Sequence, residues 1–140
     1  MRDTLGRDIS YLRLSVTDKC NCRCVYCMPP AGVPARAHRD LLSFEELTDI
    51  VAAAAALGVR KVRVTGGEPL ARRGVVDLVR MVAAVPGIDE VDMTTNATML
   101  APVAAPLREA GLTRLNVSLD TLRAERYRAI TRTGELADAL

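Results

Sequence analysis

Tyr11-Leu-Arg-Leu-Ser-Val-Thr17 sets Leu12, Leu14 and Val16 against Arg13, Ser15 and Thr17, the period of two that a half-buried strand shows. Three later runs repeat the pattern. Lys61–Thr65 alternates Val62 and Val64 with Arg63 and Thr65, and Glu90–Thr95 alternates Val91 and Met93 with Asp92 and Thr94. Arg114–Leu119 sets Leu115, Val117 and Leu119 against Asn116, Ser118 and the following Asp120. Between and after these runs the spacing predicts helices over Phe44–Leu57, Val75–Val85, Val103–Ala110 and Ala124–Thr131. Ser43 and Glu46 form a capping box for the first, and Gly58, Pro86-Gly87 and Gly111 stop the first three just before the next strand. Pro106 leaves the start of the third open by about a turn. Strands followed by helices with short returns predict parallel pairing and right-handed crossovers.

Parallel strands covered by helices on both faces usually read as continuous apolar runs. Here one face is apolar and can receive the helices, while the other is polar. The predicted fold class is α/β, a partial (βα) barrel of about four βα units whose lumen holds a polar ligand. Thr17-Asp18, Gly66-Gly67-Glu68, Thr95-Asn96 and Asp120-Thr121 all fall at the carboxyl ends of strands, where βα barrels build their sites. A closed βα barrel needs roughly six to eight units, so residues 1–140 are expected to be the N-terminal part of a longer core domain.

The chain has 140 residues, 49% hydrophobic and 26% charged, the composition of one soluble globular domain rather than a disordered or fibrous chain. Nineteen basic and 17 acidic side chains leave a net charge of +2, too balanced for a general nucleic-acid binder. With one Phe and no Trp, stacking platforms for unpaired bases are scarce. No membrane span or secretory signal is visible, and the expected location is the cytoplasm. His38, the only histidine, reads as a solvated loop residue.

All four cysteines, Cys20, Cys22, Cys24 and Cys27, lie within eight residues, where a disulfide framework would scatter them. Cys20-x3-Cys24-x2-Cys27 can give one thiolate to each of three irons of a cubane cluster, leaving the fourth iron open to a small molecule. Counting Cys22 allows a closed four-cysteine site, and zinc or a purely structural or redox role for the cluster of thiols stays open on spacing alone.

The run Arg13-Leu-Ser-Val-Thr-Asp-Lys-Cys20-Asn-Cys-Arg-Cys24-Val-Tyr-Cys27-Met-Pro resembles the radical S-adenosylmethionine superfamily and, within it, the GTP 3′,8-cyclase family of molybdenum-cofactor biosynthesis. Arg63-Val-Thr-Gly-Gly-Glu-Pro-Leu, Asp92-Met-Thr-Thr-Asn96 and Leu115-Asn-Val-Ser-Leu-Asp120 are similar to the next three strand-end motifs, in the same order. Two positions depart from the pattern: Cys22 stands where an apolar residue is usual, and Ala97 where glycine is common, which leaves that loop less free to take a positive φ.

The resemblance implies the N-terminal part of a TIM-like barrel carrying a [4Fe-4S] cluster on Cys20, Cys24 and Cys27. S-adenosylmethionine would be held by Tyr26, Gly67 and Ser118, with Gly66 and Glu68 as neighbours in the glycine motif. Arg13, Arg63 and Thr94 match positions that contact GTP, and guanidinium groups suit a polyanion because they stay charged and offer forked donors. Without the resemblance, the alternative is that Arg13 or Arg63 forms an ion pair with Asp92 and takes no ligand. The implied reaction, in the lyase class, converts GTP to (8S)-3′,8-cyclo-7,8-dihydroguanosine 5′-triphosphate, with electrons from an external donor and no nucleic-acid or membrane partner. A homodimer of the longer form is compatible with it. The further GTP contacts of that family lie beyond residue 140, so the 140-residue chain is expected to bind a cluster, and S-adenosylmethionine weakly, without turning over GTP. The alternatives are another radical S-adenosylmethionine enzyme, for example one that modifies a peptide, or an inactive truncated metal-binding fragment.

Overall fold

The computed structural model describes residues 2–34 and 37–140, and the side chain of His38 lies outside the described residues. The alternating runs form four parallel strands, β1 (Tyr11–Ser15), β2 (Lys61–Thr65), β3 (Glu90–Thr95) and β4 (Arg114–Val117), in the order β1-β2-β3-β4. The sheet is open, as a partial barrel requires: among the described residues each strand pairs only with its neighbours in sequence. The helices are α1 (Phe44–Ala56), α2 (Val75–Ala83), α3 (Ala104–Glu109) and α4 (Ala124–Thr131).

β1 and β4 stop two residues before the runs that predicted them. At β1 the reason is local: Val16 N–H still donates to Thr65 at 2.9 Å, but the Thr17 carbonyl turns to accept from Gly67 N–H at 2.7 Å. Ser43 and Glu46 make both halves of the capping box that starts α1, satisfying donors that have no partner within the first turn. Pro102 and Pro106 lack an N–H to donate, and the third helical segment opens as a 3-10 turn, Ala101–Val103, before α3 begins.

The apolar strand face carries the core. Val62, Val64, Val91 and Met93 are buried beneath Leu47 and Val51 of α1, Leu78, Val79 and Val82 of α2 and Leu107 of α3. At roughly 1.5–3 kcal/mol for each fully buried aliphatic side chain, this layer supplies the main driving force for folding. α4 departs from the pattern. Its buried side chains, Tyr127 and Thr131, meet the cysteine loop, and its last turn accepts hydrogen bonds from that loop, Arg23 N–H to Thr131 O and Val25 N–H to Ile130 O, both 2.9 Å.

On the other face the register places Arg13, Arg63, Asp92 and Arg114 in one row across the sheet, with Ser15, Thr65, Thr94 and Asn116 forming the next row toward the carboxyl ends. This polar face is dry in one place: Asp92 is 1% exposed and takes Arg63 Nη2 at 2.7 Å on Oδ2. The Arg63 guanidinium lies 5.5 Å from the centre of the Tyr11 ring. Among the described residues, no helix is long and apolar enough to cross a membrane.

Candidate functional site

Where the strands end, the chain gathers the motifs picked out from the sequence. A cavity of about 220 Å³ is lined by all four cysteines and Tyr26 from the first loop and by Thr65, Gly66, Gly67 and Glu68 after β2. Thr94, Thr95 and Asn96 and, past β4, Ser118 complete the lining. Arg13 and Arg63 are not among its lining residues; they sit one row further down the sheet face, on the row that holds the Arg63–Asp92 pair.

Two glycines bring the cysteine loop to its place. Gly67 N–H and Glu68 N–H donate to the carbonyls of Thr17 and Lys19 at 2.7 and 2.8 Å. A Cβ on Gly67 would sit 2.3 Å from the Lys19 oxygen, and one on Gly66, whose φ is +151°, 2.5 Å from the Thr17 oxygen. The glycine motif is therefore the anchor of the loop as well as part of the cavity wall. Glu68 completes the anchor from inside. It is 1% exposed, and its carboxylate accepts from Leu70 N–H at 3.0 Å, the Thr95 hydroxyl at 2.6 Å and Asn96 N–H at 2.7 Å. Opposite, Tyr26 O–H donates to Asp120 Oδ2 at 3.0 Å, tying the cysteine loop to the end of β4; burial and the Asp120 carboxylate raise the Tyr26 pKa.

The four thiols are not equivalent. Cys27 is exposed, Cys20 and Cys24 half-buried, and Cys22 buried. Cys22 fits a socket made by the segment after α4, where a Cβ added to Gly134 would lie 3.3 Å from its sulfur and 3.1 Å from the Tyr127 ring. Hydrogen bonding from Cys22 pulls the Cys20 thiol down to about 6, against the opposing effect of burial. The same contact and burial push Cys22 up, and burial raises Cys24. Arg132 Nη1 donates to the Arg23 and Met28 carbonyls at 2.9 Å each, and Thr133 Oγ1 to the Asn21 carbonyl at 2.8 Å. Residues 127–134 thus hold the loop, and sequence reading missed them. Their only signal is a Thr-Arg-Thr-Gly run after a short amphipathic helix.

This donor set fits an iron–sulfur cluster. All four thiols line the cavity, Cys20, Cys24 and Cys27 exposed or half-buried and Cys22 buried; iron–sulfur clusters prefer thiolates, and a cubane can take one per iron. Among the described residues no three His, Cys, Asp or Glu side chains converge closely enough to hold a single metal ion. A cubane, with each thiolate on a different iron, does not require that convergence.

Comparison with known proteins agrees with the geometry. The family profile of the Radical SAM superfamily matches residues 14–140. The chain is 57% identical over 139 residues to a GTP 3′,8-cyclase of Pelotomaculum thermopropionicum, covering 99% of this chain and 43% of that protein. It is 55% identical over 138 residues to one of Geobacter sulfurreducens, covering 99% and 42%. The chain thus spans less than half the length of these curated relatives. The crystal structure of a methylornithine synthase superposes with a TM-score of 0.71 at 19% identity, covering 92% of this chain and 38% of that one, a likeness of fold.

Proposed function

The chain belongs to the radical SAM superfamily, and on that footing we propose that it forms the N-terminal part of the core domain of a GTP 3′,8-cyclase of molybdenum-cofactor biosynthesis. The observation that carries the reading is the single cavity in which Cys20, Cys24, Cys27, Tyr26, Gly67, Thr94 and Ser118 face one another. Identity of 57% and 55% to cyclases of that name supports the choice of substrate.

When bound, a reduced iron–sulfur cluster supplies the electron that splits S-adenosylmethionine and so starts hydrogen abstraction from the nucleotide. Cys20, Cys24 and Cys27 hold that cluster. Tyr26, Gly67 and Ser118 bind S-adenosylmethionine, and Gly66 and Glu68 keep the wall that carries Gly67 in place. Thr94 contacts GTP at the edge of the cavity. Arg13 and Arg63 bind its phosphates from the next row, where Asp92 pairs with Arg63 and Glu90 with Arg114. Electrons come from an external donor in the cytoplasm, and no nucleic acid or membrane takes part.

Anaerobic reconstitution with iron and sulfide tests the reading. The expected result is a cluster whose EPR spectrum changes on adding S-adenosylmethionine, lost in Cys20→Ser, Cys24→Ser and Cys27→Ser and kept in Cys22→Ala. Zinc without iron, or a spectrum indifferent to S-adenosylmethionine, overturns it. The 140-residue chain is expected to form no cyclised product from GTP.

A further inference from the structure

The carboxamide of Asn96 is fixed in a closed ring of hydrogen bonds. Its Oδ1 accepts from Thr98 N–H at 3.1 Å and from the Thr98 hydroxyl at 2.8 Å. That hydroxyl accepts from Asn21 Nδ2 at 2.7 Å, and Asn96 Nδ2 returns the bond to Asn21 Oδ1 at 2.8 Å. The oxygen and nitrogen of the amide cannot exchange places without setting donor against donor at Thr98 N–H. One amide hydrogen is used by Asn21. The other is left for sulfur: Nδ2 lies 3.4 Å from Cys22 Sγ and 4.0 Å from Cys20 Sγ. The backbone of Asn96 is itself pinned by Glu68 Oε2 at 2.7 Å.

Resting on the cluster reading above, we infer that Asn96 is a positioning residue for the iron–sulfur site: it holds Cys22 back in its socket and directs an N–H at the Cys20 sulfur. Two consequences follow from the geometry. With Cys22 hydrogen-bonded and buried, only Cys20, Cys24 and Cys27 are exposed or half-buried among the four thiols that line the cavity. An N–H beside a ligand sulfur draws electron density from it, and hydrogen bonds to sulfur are among the factors that set a cluster's reduction potential. By stabilising the more negative, reduced cluster, Asn96 raises that potential.

The test compares the wild-type chain with Asn96→Leu, which removes the donor without adding charge, after anaerobic reconstitution. Iron content reports loading, and an EPR-monitored redox titration reports the potential. With loading retained, the reduced-to-oxidised ratio at a fixed solution potential should fall about tenfold in Asn96→Leu, equivalent to a shift of about −59 mV for a one-electron couple. An unchanged potential in the loaded variant overturns the inference. Should Asn96→Leu fail to fold or load, Thr98→Val keeps the amide but opens its ring. It is expected to shift the potential in the same direction by a smaller factor, and a loaded Thr98→Val at the wild-type potential overturns the inference. Loss of loading in both variants would make the asparagine a packing element alone and also refutes it. A wild-type chain that takes up no cluster overturns the cluster reading itself, with this inference as its corollary.

Discussion

The Thr95 hydroxyl donates to Glu68 Oε1 at 2.6 Å, with the two side chains 2% and 1% exposed. This bond joins the end of β2 to the end of β3 behind the cavity. Since Glu68 Oε1 also takes Leu70 N–H and Oε2 takes Asn96 N–H, one carboxylate satisfies three donors, one in the turn after β2 and two at the end of β3. Glutamine cannot replace it, because its amide nitrogen would face a backbone N–H at one of those positions. Glu68→Gln is expected to lower stability by about 1–3 kcal/mol, the cost of leaving a buried donor unsatisfied. Urea unfolding of the two chains measures this, and equal midpoints would show that the carboxylate is replaceable.

Gly67→Ala addresses the other half of the same anchor. The added Cβ would lie 2.3 Å from the Lys19 carbonyl oxygen, a backbone atom that cannot swing aside like a side-chain tip. The loop must move away from β2 instead. We expect a loss of about 1–3 kcal/mol, typical of forced overpacking, together with a lower iron content after reconstitution. Retained iron and an unchanged unfolding midpoint would refute the anchoring role.

Ala97 takes φ +66° although it is not glycine, so the departure noticed in the sequence is absorbed as strain, not as a different loop path. A left-handed conformation costs an alanine roughly 1 kcal/mol, about what Gly loses in added unfolded-state freedom. Ala97→Gly should therefore leave stability within about 0.5 kcal/mol of wild type, whereas Ala53→Gly, on the exposed face inside α1, should cost about 1 kcal/mol. Urea midpoints of the pair decide it: equal losses at both sites would mean that Ala97 carries no strain.

The period of two placed every strand, because a strand with one helix-covered face leaves its record in each alternate residue. Leu14, Val62, Val64 and Met93 are buried where that period puts them. Cys20, Cys24 and Cys27 stood out by their spacing, Gly66 and Gly67 as a turn at a strand end, and Ser118 through the family resemblance; the structure brings all six to one cavity. The socket of Cys22 was not legible, since Tyr127 and Gly134 reach it only through the placement of α4 against the loop. Nor was the role of Asn96, which depends on the orientation of an amide fixed by Thr98 and Asn21. The alternating strand faces offered Arg13 or Arg63 as a partner for Asp92, and the structure pairs Arg63 with it at 2.7 Å; the burial of Asp92 was not readable. Contacts between distant segments that follow no period leave no trace in a single sequence.

Tyr127 gives a prediction with a pH axis. Its ring is 2% exposed, and its hydroxyl has no hydrogen-bond partner among the described residues. Burial, with the Cys22 and Cys24 thiols adding to it, raises its pKa from 10.0 to about 12. In the window between these values the folded chain holds a proton that the unfolded chain has released. Stability from this group is therefore fully present below pH 10 and is lost as the pH rises toward 12. Phenylalanine at this position has no proton to lose and no hydroxyl to leave unpaired. Tyr127→Phe should gain about 1 kcal/mol at neutral pH from removal of the orphaned hydroxyl, and its advantage over wild type should widen by up to about 2–3 kcal/mol between pH 10 and 12. The two proteins differ in this one group, so the difference between the two unfolding curves isolates Tyr127. A Phe variant less stable than wild type at neutral pH would mean that the hydroxyl has a partner, and a difference independent of pH would mean that the ring does not stay buried as the chain is made alkaline.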